Sequence, residues 1–133
     1  QFNFPTHLAV DTSGVLYVTD AMNFRVQLFS PEGSCLGTVG SLGDGYGNLE
    51  KPKGVAVDSK GHIYVVDSIK DSVKIFDRNG NLLLVFGDKG RSPGEFWLPA
   101  GIFIDSMDMI YVADPYNMRV QAFRYIGDTA RKE

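Results

Sequence analysis

Only one cysteine, Cys35, occurs in 133 residues. No internal disulfide can form, and a Cys-rich zinc site is excluded. No apolar run approaches the ~18 residues of a membrane-spanning helix. Histidine is scarce at two residues, which is little material for a histidine-built metal centre. Basic charge is not in excess. Thirteen Lys and Arg stand against 16 Asp and Glu, a net charge of -3, whereas general nucleic-acid-binding surfaces are strongly basic. No stretch sustains a 3.6-residue apolar period, which argues against helical bundles and alternating strand–helix folds. Glycine, in contrast, is plentiful with 15 residues, and six prolines recur along the chain. With 44% hydrophobic and 22% charged residues the composition is that of a folded chain, fitting one domain or part of one. It begins at Gln1 without a start methionine or signal peptide, which reads as a processed or excised piece.

An internal repeat organises the sequence. Pro5, Pro52 and Pro99 are 47 residues apart, as are Asp11, Asp58 and Asp105, and Tyr17, Tyr64 and Tyr111. The same spacing relates Asp20, Asp67 and Asp114; Val26, Val73 and Val120; Phe29, Phe76 and Phe123; and Gly33, Gly80 and Gly127. Residues 5–51 aligned on 52–98 without gaps share 15 identities in 47 positions. In the second copy four short β-rich runs fall at Val55–Asp58, His62–Asp67, Val73–Phe76 and Leu82–Phe86. Ser59-Lys60-Gly61 and Asp77-Arg78-Asn79-Gly80 between them are turn signals. Four antiparallel strands every 40–50 residues predict the blades of a β-propeller. The predicted fold is all-β, with blade 1 at 5–51, blade 2 at 52–98, an incomplete blade 3 at 99–127 and a polar tail at 128–133.

The segments "PKGVAVDSKGHIYVVD" and "PAGIFIDSMDMIYVAD", with "NFRVQLF" and "NMRVQAF", resemble NHL repeats. So does the connector carrying Phe86-Gly87, Gly90, Gly94, Phe96 and Pro99. The resemblance covers nearly the whole chain and implies a six-bladed β-propeller. Strands A to D of a blade run from the channel outward. The third copy has A, B and C, but its D position falls on polar Thr129-Ala130-Arg131-Lys132-Glu133. Gln1 to Phe4 is too short to supply that strand. The chain therefore reads as a partial ring, two full blades and a three-stranded third, forming the C-terminal half of a six-bladed propeller. Its two outer flanks would be apolar, so a second copy or further blades of the same protein are expected to cover them.

The B–C turns and D–A connectors share one propeller face, the face that propellers use for ligands. It carries Phe24, Tyr46, Lys70, Arg91, Trp97 and Tyr116 as candidate partner contacts, together with Met22, Met118, Asp44, Asp88 and Glu95. Aromatics with arginine are what protein-binding surfaces use. Asp20, Asp67 and Asp114 end strand B in each copy. Asn23 with Arg25, and Asn117 with Arg119, follow two of them at fixed offsets. These read as structural positions in which a carboxylate takes turn N–H bonds and pairs with arginine; the rival reading is a carboxylate ring holding a cation. Lys70 and Ser72 replace Asn and Arg in the middle copy, which leaves the pairing of Asp67 open.

Asp11, Asp58 and Asp105 read as turn caps. Tyr17, Tyr64 and Tyr111 are expected between blades, His62 exposed or lining an edge, His7 near the channel mouth and Cys35 as a small apolar filler. Gly43 to Gly47 has only the glycine content of a phosphate loop.

Three functions compete. The first is a non-enzymatic scaffold that binds a protein or peptide on the turn face, with no cofactor and no catalytic or metal residues. The second, implied by the resemblance, is a channel-centred metal-dependent lyase or hydrolase. The third is RNA binding, against which a pI near 5.3 argues. The sequence style points to a bacterial protein in a periplasmic or extracellular setting.

Overall fold

The computed structural model describes residues 1–43 and 45–126. Three antiparallel sheets follow one another along the chain. The first holds β1 (Pro5–Val10), β2 (Leu16–Asp20), β3 (Arg25–Phe29) and β4 (Cys35–Val39). The second holds β5 (Pro52–Val57), β6 (Ile63–Asp67), β7 (Ser72–Phe76) and β8 (Leu82–Phe86). The third holds β9 (Ile102–Ile104), β10 (Ile110–Asp114) and β11 (Arg119–Phe123). Each sheet is a meander in which sequential strands pair. The chain thus forms an all-β partial propeller. The D position at Thr129–Glu133, the polar tail, Gly127 and Asp44 lie outside the described residues.

The A–B turns show why the repeat recurs. Asp11 Oδ1 accepts the N–H groups of Ser13 and Val15 at 2.9 and 3.0 Å. Asp58 holds Lys60 and His62, and Asp105 holds Met107 and Met109, all at 2.9 Å. Such Asx turns let a carboxylate stand in for backbone acceptors and close a short hairpin. The second oxygen of each aspartate accepts the hydroxyl of the tyrosine six residues on, at 2.8, 2.9 and 3.1 Å. The tyrosines are therefore more than interblade filler. Tyr17 and Tyr64 are fully buried in the two seams, with their polar tips tied to the turn.

Successive side chains of a strand point to opposite faces, and consecutive apolar residues, as in Ile63–Val66 and Leu82–Phe86, make a sheet apolar on both. The first seam joins Tyr17, Val26 and Leu28 of one sheet to Val55, Ile63, Val65 and Phe76 of the next. The second joins Tyr64, Val73 and Ile75 to Ile110 and Val112, with Phe123 packed alongside. Ile63, Val65 and Val112 are wholly removed from solvent; each contributes about 1.5–3 kcal/mol by burial. Middle-sheet strands β6 and β7 are buried along their full length because both of their faces are covered.

Near the channel the sheets are stitched by one carbonyl each. Lys53 O accepts the Thr19 hydroxyl at 2.6 Å, and the repeat-equivalent Ala100 O accepts the Gly54 N–H at 2.9 Å. A Cβ at Gly54 would lie 2.7 Å from Ala100 O and 2.9 Å from Ile102 N. Only glycine allows that approach.

Cys35 corrects one expectation. It opens β4, the outer strand of its sheet, and is exposed rather than a core filler. His62 is half-buried, with Nδ1 2.8 Å from Asp58 Oδ2 and its ring edge-on to Tyr125.

Candidate functional site

The B–C turns are rigid by construction. Ala21–Asn23 and Pro115–Asn117 are single turns of 3-10 helix, closed by Phe24 and Met118 in the left-handed conformation with φ of 57° and 53°. In the middle copy the chain turns at Ser68 and Asp71, where Asp71 has φ 49°.

Beneath each turn sits a buried carboxylate. Asp20 Oδ1 accepts the Asn3 N–H at 2.6 Å, and its Oδ2 accepts Asn23, Arg25 and Gln27 at 2.9 to 3.0 Å. Asp114 repeats the arrangement with the Trp97 N–H at 2.8 Å, Asn117 and Arg119 at 2.9 Å, and Gln121 at 3.4 Å. The arginines reach on to connector carbonyls: Arg25 to Gln1 O, and Arg119 to Ser92 O and Glu95 O. Each carboxylate therefore clamps a D–A connector to a B–C turn. Burial opposes ionisation of Asp20 and Asp114, but these donors outweigh it and hold both below the ordinary carboxylate range. The donors also use the oxygen lone pairs that a cation would need. Among the described residues no group of three or more His, Cys, Asp or Glu is placed to hold a metal ion.

The middle clamp is built differently. Asp67 accepts the Glu50 and Lys51 N–H groups at 2.9 and 3.0 Å. Its cation is Lys74, two residues beyond the arginine position, with Nζ at 3.4 Å from Asp67 Oδ2 and bonded to Asn48 O. Lys74 stands at the repeat position of Gln27 and Gln121. Sequence reading missed it, although Val-Lys-Ile in a buried strand is itself the signal of an intruding charge. Ser72, at the arginine position, is buried with an unpartnered hydroxyl, the one such side chain among the described residues.

The candidate contact residues separate into two groups. Trp97 and Tyr116 come together, with ring centroids 5.2 Å apart. Tyr46 is 80% exposed, and Arg91 is exposed on the long connector. Lys70 lies 3.4 Å from Glu50 in a partly exposed ion pair, and Phe24 is half-buried. An exposed apolar residue also recurs at the second residue of every B–C turn: Met22, Ile69 and Tyr116, each at least half exposed. The 47-residue spacing held this row in the sequence, but only the exposure of the turns distinguishes it from core. Met118 beside it is 91% exposed.

His7 is half-buried at the inner strand of the first sheet. Burial, and then the nearby Lys53, hold its imidazole below the ordinary value, so the ring is neutral. An apolar cavity of about 440 Å³ lies on the outer side of the second and third sheets, lined by Ile75, Leu84, Phe86, Phe123, Tyr125 and Ile126.

Comparison with known proteins agrees with this architecture. Residues 49–125 match the family model described as a 6-bladed beta-propeller, and residues 2–29 match the NHL repeat. The chain belongs to the six-bladed β-propeller family and carries NHL repeats. No curated protein matches the sequence. Among solved structures it is similar to a streptogramin B lyase (TM-score 0.69, 17% identity, 91% of this chain and 37% of that one). It is also similar to two proteins from Bacteroides thetaiotaomicron. One is a structural genomics protein of unknown function, with TM-score 0.70 and 19% identity over 90% of this chain and 34% of that one. The other is an auxiliary nutrient binding protein, with TM-score 0.67 and 13% identity over 87% and 36%. The chain spans less than half the length of each of these proteins. At such identities the likeness is one of fold.

Proposed function

We propose that this propeller is a non-enzymatic scaffold that binds a protein or peptide through the face made by its B–C turns and D–A connectors. One observation carries the reading. A bulky apolar side chain, Met118, stands out from a conformationally costly turn position. Met118 adopts the left-handed conformation, which costs a non-glycine residue roughly 1–2 kcal/mol, and yet 91% of it faces solvent. Glycine would serve the turn better, so the side chain has work outside the fold. The row of Met22, Ile69 and Tyr116, with the Trp97 ring tilted against Tyr116, supplies the aromatic and flexible apolar anchors that dominate protein interfaces. The clamps below hold these anchors rigid, which lowers the entropic cost of binding. Fold likeness does not choose between classes, since one neighbour is a lyase and another a nutrient binding protein.

The test is selection of binders from a displayed peptide library, followed by calorimetry with the best binder. Tyr116→Ala and Met118→Gly should each weaken binding about tenfold or more, the loss expected of an interface anchor. Met118→Gly should do so without loss of thermal stability. Binders that ignore both substitutions would refute the choice of face.

A further inference from the structure

Trp97 is the only tryptophan of the chain, and carboxylates from two different sheets hold the backbone around it. The Trp97 N–H donates to Asp114 Oδ1 of the third sheet at 2.8 Å. The next N–H, that of Leu98, donates to Asp71 Oδ1 at 2.7 Å. Asp71 closes the B–C turn of the second sheet, is 7% exposed and is left-handed with φ 49°. Its carbonyl lies against the start of the same connector, where a Cβ on Gly87 would come within 2.9 Å of it. Asp71 therefore touches connector 87–98 at both ends, and that connector is the one that brings Trp97 to Tyr116.

The first junction is built otherwise. Glu50 and Lys51 are the repeat equivalents of Trp97 and Leu98, and both of their N–H groups go to Asp67 alone. Phe24, the equivalent of Asp71, has no side-chain acceptor. Where Trp97 meets Tyr116, Glu50 is instead closed in an ion pair with Lys70. Leu98 is left-handed with φ 49°, whereas Lys51 is not. That conformation is unfavourable for a non-glycine residue, and a hydrogen bond to a carboxylate is strong enough to offset the cost.

We infer that Asp71 is a positioning residue of the turn face. By holding Leu98 it sets the Trp97 ring against Tyr116, and so places the partner's main anchor at the junction of the second and third sheets. The inference rests on the binding reading above and names where on that face the partner is gripped. Without its bond Leu98 relaxes out of the left-handed conformation, and Trp97, one residue before it, leaves Tyr116. The freed ring must then be ordered again on binding, which weakens the complex.

Fluorescence tests this directly, because Trp97 is its own reporter. Asp71→Gly keeps the left-handed turn, which suits glycine, and removes only the carboxylate. Trp97 emission should shift to the red and be quenched more readily by acrylamide. The library-selected peptide should bind ~2- to 10-fold more weakly, the scale of ordering one freed side chain. In Asp71→Asn the amide oxygen can still accept the Leu98 N–H, and asparagine tolerates the turn, so both readouts should return to those of the parent chain. Circular dichroism checks that the variants are folded. Should Asp71→Gly not fold, hydrogen exchange of the Leu98 amide in the parent decides: protection supports the bond, and exchange at the rate of a free loop amide overturns it. Unchanged emission and quenching in Asp71→Gly, or an Asp71→Asn that behaves like Asp71→Gly, would overturn the inference whether or not a peptide binds. Binding indifferent to Tyr116→Ala would instead refute the choice of face, and the fluorescence result would stand apart from it.

Discussion

Lys74 offers the sharpest test of how the turn face is held. It is 3% exposed in the middle sheet and shares a hydrogen-bond network with Asp67, which is fully buried. Its Nζ donates to Asp67 and to Asn48 O, so it neutralises a carboxylate and anchors a connector at once. Lys74→Met preserves chain volume but leaves buried Asp67 with only the Glu50 and Lys51 N–H groups. Removing one partner of a buried pair costs about 3–5 kcal/mol, a large part of the 5–15 kcal/mol that holds a typical domain. Lys74→Gln should behave differently. Gln121 occupies the equivalent position and donates to both Asp114 and Glu95 O, at 3.4 and 2.7 Å. A glutamine can therefore restore both contacts without a charge, for a loss of about 1 kcal/mol, the scale of one imperfectly replaced hydrogen bond. Urea unfolding with matched m-values would read both variants. Equal losses for Met and Gln, or a loss below ~1 kcal/mol for Met, would refute the view that the buried carboxylate is what needs the lysine.

Other expectations follow from the same network. Ser72→Ala removes a buried hydroxyl without a partner and should raise stability by about 1 kcal/mol in the same urea assay. Gly54→Ala drives a Cβ into the backbone at Ala100 and Ile102, and should cost about 1–3 kcal/mol as overpacking, with hydrogen exchange rising first along β9. Asp11, Asp20 and Asp114 are held below their unfolded values. Their contribution is present above about pH 4, the unfolded carboxylate pKa, and is lost as pH falls through the folded values; an acid titration of thermal stability should show this fall, reduced in Asp20→Asn. Burial, and then the Asp11 hydrogen bond, push Tyr17 up to about 12. Its contribution is therefore complete below about pH 10, where free tyrosine ionises, and lost as pH rises toward 12; Tyr17→Phe should flatten that alkaline limb.

Much of the fold was legible in the sequence because a 47-residue repeat multiplies weak signals. One Asp-led turn is a hint, and three, at Asp11, Asp58 and Asp105, at one spacing define hairpins. The Asp20 and Asp114 surroundings were readable for a similar reason, since Asn and Arg recur at fixed offsets. Where the repeat lapses, the chain is silent. Nothing local says that Lys74 rather than Lys70 reaches Asp67, because that depends on which side of β7 each residue occupies and on where the connector carbonyl of Asn48 comes to lie. Nor does composition show that Cys35 faces outward. Cys35 lies on the same face of its sheet as Phe29, and its repeat-equivalent Leu82 packs against the first seam, so its exposure depends on which sheet lies opposite.

The sequence by itself determined the local elements: strands from period-2 apolarity, turns from Asp and Gly, and the blade length from the repeat. These depend on neighbours within a few residues. Only the tertiary structure decided which equivalent residues are buried and which are bare. Phe76 and Phe29, or Val73 and Val120, are the same side chain in the same strand position, and they differ solely in whether another sheet lies against them. Burial is a property of what packs opposite, and no residue carries that information alone.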